Sequence, residues 1–146
     1  MIPAFDPSTG NLPPGEHAAT WDETVERFGF TEWRKQLLEG LRAALNSLRA
    51  AGCKRVYLDG SFVTAKERPA DFDGCWDTEG VDFDRVDEVL LMFDRGRAAQ
   101  KAKYRGELFL ADARADPMGR LFLEFFQRDR DGNPKGIIVI ETRDIR

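Results

Sequence analysis

Hydrophobic residues recur at three- and four-residue steps between residues 33 and 48, the most strongly periodic part of the chain. This spacing places them along one face of an α-helix of about five turns. Thr31 is a suitable N-cap before the first apolar position, and Gly52 is a suitable terminator after the last. The pattern therefore predicts a long amphipathic helix whose buried positions are Trp33, Leu37, Leu38, Leu41, Leu45 and Leu48.

A second, shorter helix is predicted just before it. Thr20 and Glu23 have the spacing of a capping box, and Gly29 follows at a distance of about two turns, so residues 21–28 should be helical. Residues 1–15 contain four prolines and two glycines and show no periodicity. Such a segment is typical of an extended arm, which we expect to lie over the domain and to reach residue 19.

The rest of the chain alternates between β-favouring and helical patterns. In order, these patterns predict a strand at 56–58, a turn at 59–61, a strand at 70–76, a helix that begins at Asp82 or Asp84 and ends near Gly96, a loop or frayed helix at 97–105, a strand at 107–111, and a hairpin of residues 121–126 and 137–140. This order of elements predicts a single α/β (α+β) domain over residues 1–146, with a mixed sheet, helices packed against it and a C-terminal β-hairpin.

Composition narrows the class of protein. A chain with 42% hydrophobic and 33% charged residues, with no apolar run of membrane-spanning length and no basic start followed by an apolar run, is expected to be cytoplasmic. The net charge of −4 disfavours wholesale binding of nucleic acid, although the bases Lys101, Lys103 and Arg105 form a local stripe. Cys53 and Cys75 match no metal or redox spacing and should be reduced.

Asp71 and Asp73 are the first candidates for chemistry. They lie two residues apart in a predicted strand, so both carboxylates should lie on one face while Phe72 points into the core. Two adjacent carboxylates repel each other, and a cation between them relieves the repulsion. Mg²⁺, or Mn²⁺, fits because hard cations prefer carboxylate oxygens and leave room for substrate phosphates.

Gly60 and Ser61 stand ten residues before this pair, after the preceding strand. A glycine there allows the backbone to approach a phosphate closely, and the exposed amides and the Ser61 hydroxyl can donate hydrogen bonds to it. Lys66 and Arg68, in the intervening loop, would add positive charge. These four residues are therefore predicted to bind the phosphates of a nucleotide.

The run Leu58-Asp59-Gly60-Ser61, followed by Asp71-Phe72-Asp73, resembles the signature of the DNA polymerase β-like nucleotidyltransferase superfamily. The longer string GSFVTAKERPADFDGCWD is similar to a set of small uncharacterised bacterial nucleotidyltransferase-like proteins. The resemblance implies a minimal polymerase β-like fold and metal-dependent transfer of a nucleotidyl group from a nucleoside triphosphate to an RNA or protein hydroxyl. It also implies a role in a toxin–antitoxin or phage-defence pair, with a cognate toxin or antitoxin as partner.

Two features depart from the superfamily pattern. Asp59 is acidic where an apolar residue is usual. The third carboxylate, which the resemblance places on a later strand, has three candidates. Glu107 is favoured because it begins the predicted strand after the basic loop, Asp112 is the alternative on the opposite face, and Asp77 is an outside choice that shares strand parity with Asp73.

Two other functions compete with nucleotidyl transfer. A protein of this fold could be catalytically inactive and hold a partner protein, which a Glu107 turned away from Asp73 would favour. The same carboxylates and metal could instead support a nuclease. Because the chain shows no obvious second substrate-binding domain, an RNA or protein acceptor would be recognised by a partner or by a dimer.

Overall fold

A computed structural model describes residues 1–145. Five strands and four α-helices make up the fold, with short 3-10 turns between them. In chain order the elements are β1 Gly15–Ala19, α1 Trp21–Phe28, α2 Glu32–Ala50, β2 Arg55–Asp59, β3 Phe72–Trp76, α3 Asp94–Tyr104, β4 Gly106–Leu110, α4 Phe122–Phe125 and β5 Gly136–Glu141. The predicted α/β class with a mixed sheet is confirmed.

The five strands form one sheet in the order β1-β5-β2-β3-β4. The strand β2 lies at its centre and pairs antiparallel with both β5 and β3. The outer pairs, β1 with β5 and β3 with β4, are parallel. The mixed sheet therefore places the ends of β2, β3 and β4 that carry the candidate acids side by side.

The two faces of the sheet bury different side chains. One face packs against the apolar stripe of α2 and contributes alternate residues such as Leu58, Phe72 and Leu108, each fully buried. On the opposite face a second cluster gathers Tyr57, Cys75 and Phe126 with the rings of Phe109 and Phe122. Because side chains alternate along a strand, the odd-numbered positions of β2, β3 and β4 all belong to this second face, here called the aromatic face.

Both predicted N-terminal helices are confirmed. Thr20 Oγ1 accepts a hydrogen bond from the Glu23 amide at 3.1 Å, and Glu23 Oε1 accepts one from the Thr20 amide at 3.1 Å, which completes the capping box of α1. The side chain of Thr31 caps α2 through the Arg34 amide. The local signals sufficed here because a cap and a strong apolar stripe specify the same helix.

The predicted helix from Asp82 or Asp84 to Gly96 is wrong. Two 3-10 turns, Phe83–Arg85 and Glu88–Leu91, replace it, and α3 begins only at Asp94. Asp82 and Asp87 each accept a hydrogen bond from the amide two residues ahead, which competes with the helical pattern. The segment predicted as a loop or frayed helix at 97–105 is largely helical and belongs to α3, whose residues 95–97 have non-helical backbone angles.

The predicted C-terminal hairpin is also wrong in its first strand. Residues 122–125 form the short helix α4, with the Phe125 amide donating to Leu121 O at 2.9 Å. Phe122, Phe125 and Phe126 are spaced as one helical face, and Phe122 stacks on Phe109 with ring centroids 4.2 Å apart. The second strand of the prediction exists as β5, but it pairs with β1 and β2.

The extended arm ends five residues earlier than expected, because residues 15–19 form the edge strand β1. The sequence of β1 has no alternation of apolar and polar residues that would predict a strand. Its place is set by the close approach of Pro13 to β5, where a Cβ on Gly136 would lie 2.0 Å from Pro13 O. The glycine at that position thus allows the arm to pass directly over the sheet edge.

Two further expectations concern the cysteines and the membrane. Cys53 and Cys75 are both buried and free, as expected. Within residues 1–145, no helix combines the length and apolar character needed to cross a bilayer.

The contact between α2 and α3 generates a prediction at Gly40. Glycine to alanine normally stabilises a helix interior by about 1 kcal/mol, but a Cβ here would lie 1.8 Å from Tyr104 O at the end of α3. Gly40→Ala should therefore destabilise the protein by about 1–3 kcal/mol in urea unfolding. Gln36→Ala, at an exposed position of the same helix, serves as control and should change stability by less than about 0.5 kcal/mol. A more stable Gly40→Ala would show that α2 and α3 do not pack as described.

Candidate functional site

Four carboxylates meet on the aromatic face at one end of β2, β3 and β4. In the sheet register Asp59 is opposite Asp73, and Asp73 is opposite Glu107. Directly opposed residues on neighbouring strands share a face and lie about 5 Å apart. Asp71 has the same strand parity two residues before Asp73. We refer to Asp59, Asp71, Asp73 and Glu107 as the acid row.

Among residues 1–145, three cations pair with the acid row. Lys135 Nζ lies 2.8 Å from Asp59 Oδ1, and Arg97 Nε lies 2.6 Å from Glu107 Oε2. Lys101 Nζ lies between two acids, 3.5 Å from Asp71 Oδ2 and 3.7 Å from Glu107 Oε2.

Asp73, at the centre of the row, is the exception. Among residues 1–145 it has no cation within ion-pair distance, and its Oδ1 atom is buried without a hydrogen-bond partner. An unpaired buried carboxylate oxygen is costly, so this atom is the place in the row where a bound cation would gain most.

The electrostatics of the row follow from this arrangement. Burial, and then the negative charges of Glu107, Asp59 and Asp71, raise the pKa of Asp73 to about 8. Burial also raises the pKa of Asp59 and that of Asp71, while Lys135 and Lys101 respectively offset part of each rise. A divalent cation at Asp73 would lower all three pKa values, because it stabilises the ionised forms.

Gly60 forms the wall beside Asp73. Its φ of 76° belongs to the left-handed region, and a Cβ there would lie 3.1 Å from Asp73 Oδ2. Glycine is required both for this conformation and for this proximity. The 3-10 turn Ser61–Val63 follows at once, so the Gly60–Ser61 bend lies directly against the acid row.

Arg34, inside α2, holds that bend from behind. Its side chain is fully buried and donates hydrogen bonds to the carbonyl oxygens of Phe62 at 2.7 Å, Thr64 at 2.8 Å, Lys66 at 2.7 Å and Ser61 at 3.3 Å. Burial lowers the pKa of Arg34 to about 10, which leaves it protonated at neutral pH. Five donors in a fixed planar fork allow one side chain to fix a whole loop.

The remaining predicted site residues lie at varying distances from the acid row. Glu107 is brought beside Asp73, whereas Asp112 is exposed beyond the far end of β4, and Asp77 follows the far end of β3, where it accepts a hydrogen bond from the Glu79 amide. The Arg68 guanidinium stacks on the Trp33 ring at 4.4 Å, while the Lys66 side chain is exposed. A phosphate role for Lys66 and Arg68 stays a prediction.

Sequence reasoning missed three participants. Asp59 was noted only as a departure from the superfamily pattern, but the register makes it the third member of the row. Arg97 and Lys135 come from distant segments, and Arg97 additionally has a left-handed backbone with φ of 62°. A non-glycine residue in that region is uncommon, and only the structure reveals it. Lys101 was included in the basic stripe without its partners.

The described side chains do not form a ready metal centre. Among residues 1–145, no three histidine, cysteine, aspartate or glutamate side chains make a group that could hold a metal ion as they stand. Arg97 and Lys101 pair with Glu107 Oε2, and Lys101 also with Asp71 Oδ2. A divalent ion bound to these same two oxygens would displace Arg97 and Lys101.

Comparison with models of protein families shows to which family the chain belongs. Residues 3–141 match the model of a family of unknown function, DUF6932. The chain belongs to this family. The match spans the acid row, the Gly60–Ser61 bend and β5, so DUF6932 describes the whole sheet and not a fragment of it. Neither curated proteins nor solved structures gave a match.

The raised pKa of Asp73 generates a prediction about stability. Folded Asp73 keeps its proton up to about pH 8, whereas an unfolded aspartate loses it near pH 4. Between about pH 4 and pH 8 the folded state therefore binds one proton more than the unfolded state. Because of this difference, the free energy of unfolding falls as the pH rises through that range. Asp73→Asn, which stays neutral, should be more stable than wild type by about 2 kcal/mol or more at pH 8 and nearly equal to it at pH 4.

Urea unfolding at several pH values measures the difference between the two proteins. Asp112→Asn, at an exposed aspartate, should match wild type throughout. A less stable Asp73→Asn at pH 8 would contradict the described electrostatics.

Proposed function

We propose that this protein is a metal-dependent nucleotidyltransferase, which transfers a nucleotidyl group from a nucleoside triphosphate to a hydroxyl of an RNA or a protein. The single observation that carries the proposal is the in-register acid row beside the Gly60–Ser61 bend. The sequence resemblance supports the same chemistry, since it implies a glycine–serine bend, an Asp-x-Asp pair and an acid from a later strand.

The side chains of the row fit Mg²⁺ or Mn²⁺ as a donor set. Carboxylate oxygens are the ligands that these ions prefer, and the buried Oδ1 of Asp73 lacks a partner. Asp71, Asp73 and Glu107 would hold the metal, with Asp59 neutralised by Lys135 behind them. When bound, the ion would supply Lewis-acid neutralisation of phosphate charge.

The chain's own groups have separable tasks in this proposal. The backbone of Gly60 and Ser61 would donate to a phosphate oxygen, because the glycine leaves no side chain between the bend and Asp73. Arg34 positions that backbone without touching the substrate. Lys101 and Arg97 would keep Asp71 and Glu107 neutralised until metal and nucleotide bind.

The biological setting also belongs to the proposal. We take the protein to act in the cytoplasm, and we take an RNA, or a protein such as a cognate toxin or antitoxin, as the acceptor. This setting rests on the sequence resemblance alone.

A catalytically inactive, partner-binding module of the same fold is the second candidate. The specific observation in its favour is that Arg97 and Lys101 already neutralise Glu107 and Asp71. In such a protein these ion pairs would be permanent, and magnesium would not change nucleotide binding. Calorimetry of a nucleoside triphosphate with and without Mg²⁺ separates the two candidates, since only a working site binds more tightly with the metal.

Nucleotidyl transfer itself is tested with a labelled pool of the four nucleoside triphosphates, Mg²⁺, and either RNA or cell protein as acceptor. Wild type should label one acceptor class. Asp71→Asn with Asp73→Asn should reduce labelling to below about one hundredth, because two metal ligands are lost. Asp112→Asn should label like wild type. Unchanged labelling in the double variant would overturn the assignment, and cleavage of RNA without labelling would indicate a nuclease.

A further inference from the structure

A cleft of about 560 Å³ opens on the aromatic face next to the acid row. Asp59, Asp73 and Gly60 are among the residues that line it. The lining also includes four cations, of which one precedes α4 and three come from the segment between α4 and β5. These are Arg120, Arg128, Arg130 and Lys135. The cleft thus combines two carboxylates of the acid row and the carboxylate of Asp129 with a cluster of four positive charges.

Two of these four cations already have acidic partners. Lys135 is paired with Asp59, and Arg120 Nε lies 2.6 Å from Asp116 Oδ2. Arg128 donates one hydrogen bond, from Nη1 to Gly132 O at 3.0 Å. Within residues 1–145 Arg130 makes neither a hydrogen bond nor an ion pair. Among the described residues, Arg128 and Arg130 are therefore the two cations of the cleft whose charge is not already paired with an acid.

The turn that carries the two arginines is well defined by its own hydrogen bonds. Asp129 Oδ1 accepts from the amides of Asp131 and Asn133, both at 2.9 Å, and these bonds lower the pKa of Asp129. Arg128 also forms an antiparallel bridge with Pro134. The carboxylate of Asp129 is thus hydrogen-bonded within the turn, and among the described residues it forms no ion pair with either arginine.

We propose that Arg128 and Arg130 form the wall that binds the terminal phosphates of a nucleoside triphosphate in this cleft. Guanidinium groups bind phosphate oxygens through pairs of charge-assisted hydrogen bonds, which suits a polyphosphate. The identity of the ligand as a substrate rests on the proposed function, whereas the affinity for polyphosphate rests on the cleft alone. In this arrangement the phosphate chain runs from the acid row and Gly60 towards the arginines.

The phosphate-binding role predicted for Lys66 and Arg68 is thereby assigned to Arg128 and Arg130. Neither residue is among the described residues that line the cleft. Arg68 is engaged with the Trp33 ring, and Lys66 is anchored through its carbonyl oxygen to Arg34. Phosphate binding by Arg128 and Arg130 and phosphate binding by Lys66 and Arg68 are therefore rival hypotheses. They predict different effects of mutation, which one experiment can distinguish.

The test is calorimetric titration of the full chain with inorganic tripolyphosphate at low ionic strength in EDTA. Arg128→Gln with Arg130→Gln should weaken binding at least about tenfold. Lys66→Gln with Arg68→Gln, and the control Arg85→Gln with Arg143→Gln at exposed positions, should stay within about twofold of wild type. All three double variants lose the same charge, and their melting temperatures should match wild type.

Failure of this proposal is distinguishable from failure of the proposed function. Because the titration contains no metal, it is independent of any catalysis. The double variant Asp71→Asn with Asp73→Asn should bind tripolyphosphate as well as wild type or better, since it removes carboxylates at and beside the cleft. The same variant should lose nucleotidyl transfer. The proposal is overturned if wild type does not bind tripolyphosphate, if the Arg128 and Arg130 variant binds normally, or if only the Lys66 and Arg68 variant loses binding.

Discussion

The strand register that sets Asp59, Asp73 and Glu107 opposite one another is the constraint on which the rest of this structure depends. Like charges on directly opposed strand positions destabilise a sheet. Cations from two distant segments offset part of this cost, Arg97 and Lys101 from α3 at one edge and Lys135 from the residue before β5 at the other, and Asp73 is left without an ion pair. A protein that needed only a stable sheet would gain by replacing Asp73, so the row is the strongest sign of a functional site.

The acid row has a fixed backbone on one side and an exposed, movable cation on the other. Behind Gly60, the buried Arg34 ties four carbonyl oxygens of the following loop to α2, so the bend cannot move without breaking charged hydrogen bonds. In front, Lys101 is half exposed and within reach of two acids. This arrangement suits a site whose backbone is in place before a ligand binds. The side-chain cations would then leave the acids when the ligand takes their place.

Sequence alone predicted the parts of the fold that local signals specify. The caps at Thr20 and Thr31 and the leucine stripe of α2 were sufficient for both N-terminal helices. Prediction from the sequence failed where tertiary contacts determine the secondary structure. The phenylalanines of α4 have a helical spacing but were interpreted as a strand, and β1 exists only because β5 offers an edge. Of the residues predicted for the site, Asp71, Asp73, Gly60 and Glu107 lie together in the structure. Asp59, Arg97 and Lys135 lie beside them through register and packing, which no motif encodes.

Whether Asp73 and its neighbours hold a divalent cation, as we propose, can be seen in a crystal structure of the protein soaked in Mn²⁺. We expect an anomalous peak within coordination distance of Asp73 Oδ1 and of an oxygen of Asp71 or Glu107, with Lys101 displaced from both acids. A map with no peak at the row, and with Lys101 still between Asp71 and Glu107, would contradict it.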